Sequence, residues 1–160
     1  MPRRLLTAAT ITRPNDTNAY ASGDLIANST TAASVVAPTF STPSFGRDLE
    51  IARCKLTKNA GPVANGSFRL HFFSGTVTVT TNGDNAAFTP TSLALYLGSL
   101  DVTIASPLGG WGVSADASQN VIWTPAAASD ALNVLLEARA AYVPTANEVF
   151  TIQPEIIIPV

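Results

Sequence analysis

Period-two alternation, interrupted at short intervals by turn residues, is the feature that most limits what this chain can become. Successive side chains of a strand point to opposite faces of a sheet, so an alternating run marks a strand with one buried face. The longest run is Ala131 to Tyr142. Leu132, Val134, Leu136, Ala138, Ala140 and Tyr142 share one face; Asn133, Leu135, Glu137, Arg139 and Ala141 share the other. Its Ala, Leu, Glu and Arg are also good helix formers, but period two fits better than 3.6, and Pro144 ends the run either way.

Further strands are expected over Asp48 to Lys58, over Ser67 to Ser74 with Phe68, Leu70 and Phe72 on one face, and over the Thr/Val alternation of Thr76 to Thr81. Thr and Val are β-branched, which favours the extended backbone. Leu100 to Ala105, Val121 to Thr124 and Glu148 to Ile152 follow, and the early chain adds Leu5 to Thr12, Asp24 to Asn28 and Ala33 to Ala37. Arg13-Pro14-Asn15-Asp16, Asn59-Ala60-Gly61-Pro62, Asn65-Gly66, Asn82-Gly83 and Pro107-Leu108-Gly109-Gly110 punctuate them. Asn and Gly tolerate the positive φ of tight turns, and Pro presets φ near −65°. Many short strands so punctuated predict an all-β sandwich or barrel. One short helix is predicted over Thr91 to Leu97, with Thr91 or Ser92 as N-cap and Gly98 as C-cap. Asn28 to Phe45, small, polar and proline-punctuated, reads as a long loop.

At 160 residues the chain fits a single domain, 1–160, that can bury a core without disulfide or metal. Charged residues are 12 % of it, about half the usual share of roughly 25 %. Such a surface resists association weakly; it suits a chain that lives against other subunits, or a sandwich with a Thr-rich exterior. Net charge of −2 argues against a nucleic-acid partner. The sole cysteine, Cys54, excludes an internal disulfide. Leu5 to Ile11 is diluted by Thr7 and Thr10 and closed by Arg13, which is poor for a signal peptide. No apolar stretch nears the roughly 20 residues that span a bilayer, so a soluble, membrane-free protein is expected.

Catalysis needs titratable groups held together, and the sequence supplies few. His71 is the only histidine, inside an alternating strand, and reads as a sheet-surface residue. Cys54 lies between Arg53 and Lys55, whose side chains point the other way on a strand, so it reads as a plain, partly buried thiol. Asn82-Gly83-Asp84-Asn85 carries side-chain oxygens but lacks the further acids of a calcium loop; a turn held by Asx bonds is expected. No cofactor and no metal are predicted, and no enzyme. Trp111, Trp123 and Tyr96 are candidates for a sugar-stacking platform, or for the core or a subunit interface.

The stretch Ile11-Thr12-Arg13-Pro14-Asn15-Asp16-Thr17-Asn18-Ala19-Tyr20-Ala21-Ser22-Gly23-Asp24-Leu25-Ile26 resembles a signature of tailed-phage virion proteins. Asp48 to Leu56, Phe68 to Phe73, and Asn82 to Phe88 leading to Tyr96-Leu97-Gly98 match in the same order. Where related chains often carry a proline after the Phe68 to Phe73 block, this one has Ser74-Gly75. The resemblance is to head decoration (cement) proteins, and implies an antiparallel, jelly-roll-like β-sandwich. It further implies a protein made soluble in the host cytoplasm and used on the capsid surface of the virion. There it would bind the major capsid protein, with a homotrimer favoured because trimers suit local threefold axes. A tail or fibre module binding host glycans is the alternative. On the first reading the candidate capsid or subunit contacts are Arg3 and Arg4 of an N-terminal arm or first strand (1–12), Val35, Val36, Phe40 and Phe45 of the long loop (28–45), Trp111, and Ile156, Ile157 and Ile158 of a C-terminal tail (154–160). That tail reads equally as a final core strand.

Overall fold

The computed structural model describes residues 3–42, 46–59, 66–89, 91–104, 111–114, 121–126 and 131–158. Its strands are β1 (Arg3–Leu6), β2 (Ala9–Thr12), β3 (Leu25–Ile26), β4 (Thr39–Ser41), β5 (Leu49–Lys58), β6 (Gly66–Ser74), β7 (Tyr96–Ile104), β8 (Trp111–Ser114), β9 (Val121–Trp123), β10 (Ala131–Ala138) and β11 (Val149–Ile158). The first sheet runs β1-β11-β5-β8, with β2 also on β11 and β9 also on β5. The second runs β3-β10-β6-β7, with β4 also on β10. Every pairing among these strands is antiparallel. The sheets pack against each other as a β-sandwich, as expected from the alternation. Among the described residues no helix is long and apolar enough to cross a membrane.

Alternation sets what goes between the sheets. Leu132, Val134, Leu136 and Ala138 of β10 meet Phe68, Leu70 and Phe72 of β6, and opposite them lie Ile51, Cys54 and Leu56 of β5 and Phe150, Ile152 and Ile156 of β11. Each such large side chain contributes about 1.5–3 kcal/mol on burial. Phe68 packs edge-on to both Phe150 and Tyr142, which closes one end of the core with aromatic rings.

Strict alternation would leave the other face of β10 wet, yet Asn133, Leu135 and Glu137 are buried as well. Gly75, at φ +106°, turns the chain out of β6. The segment after it then crosses the outside of the second sheet. Val77 and Val79 join Leu25, Ala27, Phe73 and Leu135 in a second apolar cluster, with Phe88 and Val35 packed on it. Thr76 to Thr81 therefore alternates in burial as expected, but it forms no strand: it is a strap whose valines face a sheet they do not pair with.

Other elements depart from the sequence reading. The helix expected over Thr91 to Leu97 is a single 3-10 turn, Leu93–Leu95; Ser92 makes no capping bond, and Tyr96 already begins β7. Gly98, at φ +145°, lies inside that strand beside a register shift rather than at a helix end. Ala33 to Ala37 is not a strand, but a 3-10 turn at Ala32–Ser34 followed by irregular chain. Trp111–Ser114, where no strand was expected, is a strand on β5. Leu5 to Thr12 splits into β1 and β2, while β11 runs on past Ile152 to Ile158. These two departures are linked. Register puts the break at Thr7 and Ala8 opposite Gln153 and Pro154, and proline has no N–H for a ladder bond. The turns expected at residues 60–65 and 107–110 lie outside the described residues.

Candidate interaction surface

The residues with chemical potential are tied into internal networks. Arg13, buried, donates from Nη2 to Asp84 Oδ2 at 2.8 Å and from Nε to the Tyr20 hydroxyl. Tyr20 donates to Asp84 Oδ1 at 2.6 Å, and the Ala27 N–H donates to the same oxygen at 2.7 Å. Gly83 puts Asp84 there: a side chain at 83 would collide with the Thr30 backbone, which lies against it, and the Asp84 N–H donates to Ser29 O at 2.7 Å. Asp84 is thus a long-range tie rather than a local Asx turn, and Arg13 supplies its cation. A second network mirrors the first. Lys58 Nζ donates to Glu148 Oε1 at 2.6 Å, and Tyr142 donates to Glu148 Oε2. The rings of Tyr20 and Tyr142 stack at 6.0 Å, 5° from parallel, which joins the two. Burial, then the neighbouring carboxylate, raises both tyrosine pKa values far above the usual range, so both are neutral donors.

His71 sits on the outward face of β6, but it is not at the surface as expected. Phe88, which follows the strap, stacks on its ring at 4.3 Å, and its Nε2 lies 2.7 Å from Glu137 Oε2. The Tyr96 hydroxyl is 3.3 Å from Nδ1. Burial lowers the His71 pKa, with the Glu137 carboxylate opposing it. Cys54 faces the opposite way, into the core, where burial pushes its thiol up to about 12. The two groups that most resemble a base and a nucleophile therefore occupy opposite faces of different sheets.

The candidate contacts scatter. Arg3 and Arg4 lie in β1, an edge strand rather than a loose arm, and Arg4 pairs with Glu155 at 2.6 Å. Phe40 is in the core, so it is not a surface contact; its neighbours alternate outward on β4. Ile156 and Ile158 are likewise core residues, because the apolar tail is the end of β11, held between β1 and β5. Ile157, facing the other way, is half-buried. Trp123 is buried between the sheets, which removes it from a sugar platform. Trp111 opens β8 opposite Thr57, and Phe45 lies outside the described residues.

Val35 and Val36 are the pair that forms a surface. Val35 packs on the second cluster, while Val36 stands 70 % exposed. Asn28 holds the ridge: its Oδ1 accepts from the Val36 N–H at 2.7 Å and its Nδ2 donates to Ser34 O at 3.2 Å. A groove of about 450 Å³ opens on one side, floored by Val77 and Asn133. Another of about 470 Å³ opens on the other, walled by Thr10 and Thr12 of β2. No charged residue lines either. Sequence reasoning missed the Asn28 clamp, whose only local signal is an Asn ahead of a turn-rich segment, and missed the Lys58–Glu148 pair, separated by 90 residues.

Compared with known proteins, the chain matches no protein-family model and no curated protein sequence.

Proposed function

We propose that this chain is a tailed-phage head decoration protein: it binds the major capsid protein lattice and stabilises the head by contact alone, without catalysis. The observation that carries this reading is the Val36 ridge, an exposed apolar edge clamped by Asn28 between two uncharged grooves. A preformed apolar wedge loses little entropy on docking, and uncharged flanks need little desolvation. Supporting it, Arg13 and Tyr20 of one block of the resemblance and Asp84 of another meet in one buried network. The blocks then mark a shared framework, as a non-catalytic scaffold would need.

The test is co-sedimentation of the purified protein with heads of its parent phage that lack it. Stoichiometric binding and a higher disruption temperature are expected. Val36→Asp, at an exposed position, should leave the unfolding free energy within about 0.5 kcal/mol of wild type and weaken head binding by about tenfold or more. Absence of the protein from purified virions, or glycan-array binding without head binding, overturns the reading.

A further inference from the structure

We propose that the open edge of β2 takes an extended, uncharged segment of a partner protein as an added strand, laid in the groove between β2 and the Val36 ridge. The hydrogen bonds around β2 show which way its main chain points. The Arg13 N–H donates to Glu148 O at 2.9 Å, so Arg13, one step past the Thr12–Val149 pair, faces β11. Bonded and non-bonded pairs alternate along an antiparallel ladder. Ile11 therefore turns its N–H and C=O to β11, while Thr10 and Thr12 turn theirs away. The same phase holds at Val149, opposite Thr12, whose C=O accepts from the Asn59 N–H beside β5 at 3.1 Å. Among the described residues nothing bonds the Thr10 or Thr12 main chain on its outer side.

An unpaired edge is a template for another strand, and proteins commonly guard it with charge, proline or cover. The neighbouring edges are guarded in these ways. β1 carries Arg3 and Arg4. Leu25 of β3 is already bonded on its outer side, donating to Ala86 O and accepting from the Asn85 N–H. β4 follows Pro38, which has no N–H to offer. β2, Ala-Thr-Ile-Thr, has neither charge nor proline, and its β-branched residues favour extended pairing. Thr10 and Thr12 also line the groove of about 470 Å³ whose other wall is Val36 to Thr39. Their outward groups repeat every two residues, about 7 Å, which is the repeat of an extended guest and not of a helix. No charged residue lines the groove, so a charged guest side chain would lose water there without gaining a partner. That selects uncharged side chains, with an apolar one against Val36 and Pro38. A second copy pairing β2 to β2 would bring its own Val36 wall into the same cleft, which a lone segment does not. The inference rests on the binding role proposed above and names the form that the partner takes there.

The experiment is amide hydrogen exchange, read by NMR on the isotope-labelled full chain, with a synthetic probe: a short Thr/Val alternation carrying lysines only outside that stretch. Beside it stand an analogue N-methylated through the stretch and one with Glu in place of each Thr. On adding the probe, exchange at the Thr10 and Thr12 amides should slow about tenfold or more, while Ile11, already bonded to β11, should change little. Both analogues should bind about tenfold or more weakly, since main-chain bonds carry the affinity of an added strand. Thr10→Pro removes an N–H that the fold does not use, so it should fold, as prolines do on edge strands, and lose the probe. If Thr10→Pro fails to fold, exchange on the unaltered chain still decides. Unslowed Thr10 and Thr12 amides, or equal binding of either analogue, overturns the proposal. Protection of those amides in the free chain that rises with protein concentration also overturns it, because a second copy then fills the edge. Probe addition by a protein that does not decorate heads overturns the decoration reading and leaves this one; head binding without probe addition does the reverse.

Discussion

At Arg13 the cost of a buried charge decides the chemistry of the site. Its guanidinium and the Asp84 carboxylate are both removed from water, and removing one partner strands the other. Arg13→Ala should therefore lower unfolding stability by about 3–5 kcal/mol, read by urea denaturation. Adding Asp84→Asn to it should recover part of the loss, because no bare charge then remains. His71 makes a different prediction. Its folded-state pKa lies below the ordinary value of 6.5, so as pH falls the unfolded chain takes up the proton first. Stability should decline as pH drops below about 6.5, by at most about 1.4 kcal/mol per pH unit. Glu137, Tyr96, Arg69 and Arg139 surround the ring and set how far the window extends. His71→Gln should flatten this part of a urea-midpoint series against pH. The Asp101 carboxylate, held low by Arg69, acts only in the acid range below its ordinary 3.8.

Among the elements, β11 carries the most. It pairs with β5 along one side and with β1 and β2 along the other, and it places Phe150, Ile152, Ile156 and Ile158 in the core. Ile156→Asp should prevent folding, with loss of the far-UV strand signal, whereas Ile157→Asp on the half-buried outer side should fold. A loose apolar tail would tolerate both. β6 and β10 were legible in the sequence because their inner faces alternate cleanly; β5 was legible although a bulge between Ile51 and Arg53 shifts its phase. β11 was legible as a strand to Ile152, and its continuation to Ile158 only as one of two equal readings of the tail; Pro154 sits where the partner strand is itself broken. Thr76 to Thr81 carries the pattern of a strand without the pairing, because alternation records burial of one side and not who pairs along the edge.

For the whole molecule, the ladders join distant parts of the chain: β1 pairs β11, and β10 links β3, β4 and β6. One core then serves both sheets, and near-UV and far-UV signals should report a single coincident unfolding transition. Separate midpoints would mean that the strap and second cluster melt independently of the sandwich. The low charge content also acquires a meaning at this scale. Several of the few charges are consumed in interior pairs. The molecule has a roofed face on its second sheet and an uncharged ridge at the β2 edge.

Local pattern determined the all-β class, most of the strands and the inward residues of β5, β6 and β10, because burial on one face of an extended chain leaves a period of two. It also brought Val35 and Val36 forward, though alongside Phe40, Ile156 and Ile158, which are equally apolar and lie inside. Tertiary structure alone decided between them. Exposure depends on what the rest of the chain stacks on a residue, and the strap and β1 are remote from the residues they cover. The same holds for Arg13 and Asp84, 71 residues apart: each looks like a surface or turn residue by itself, and only their meeting makes the burial of both possible.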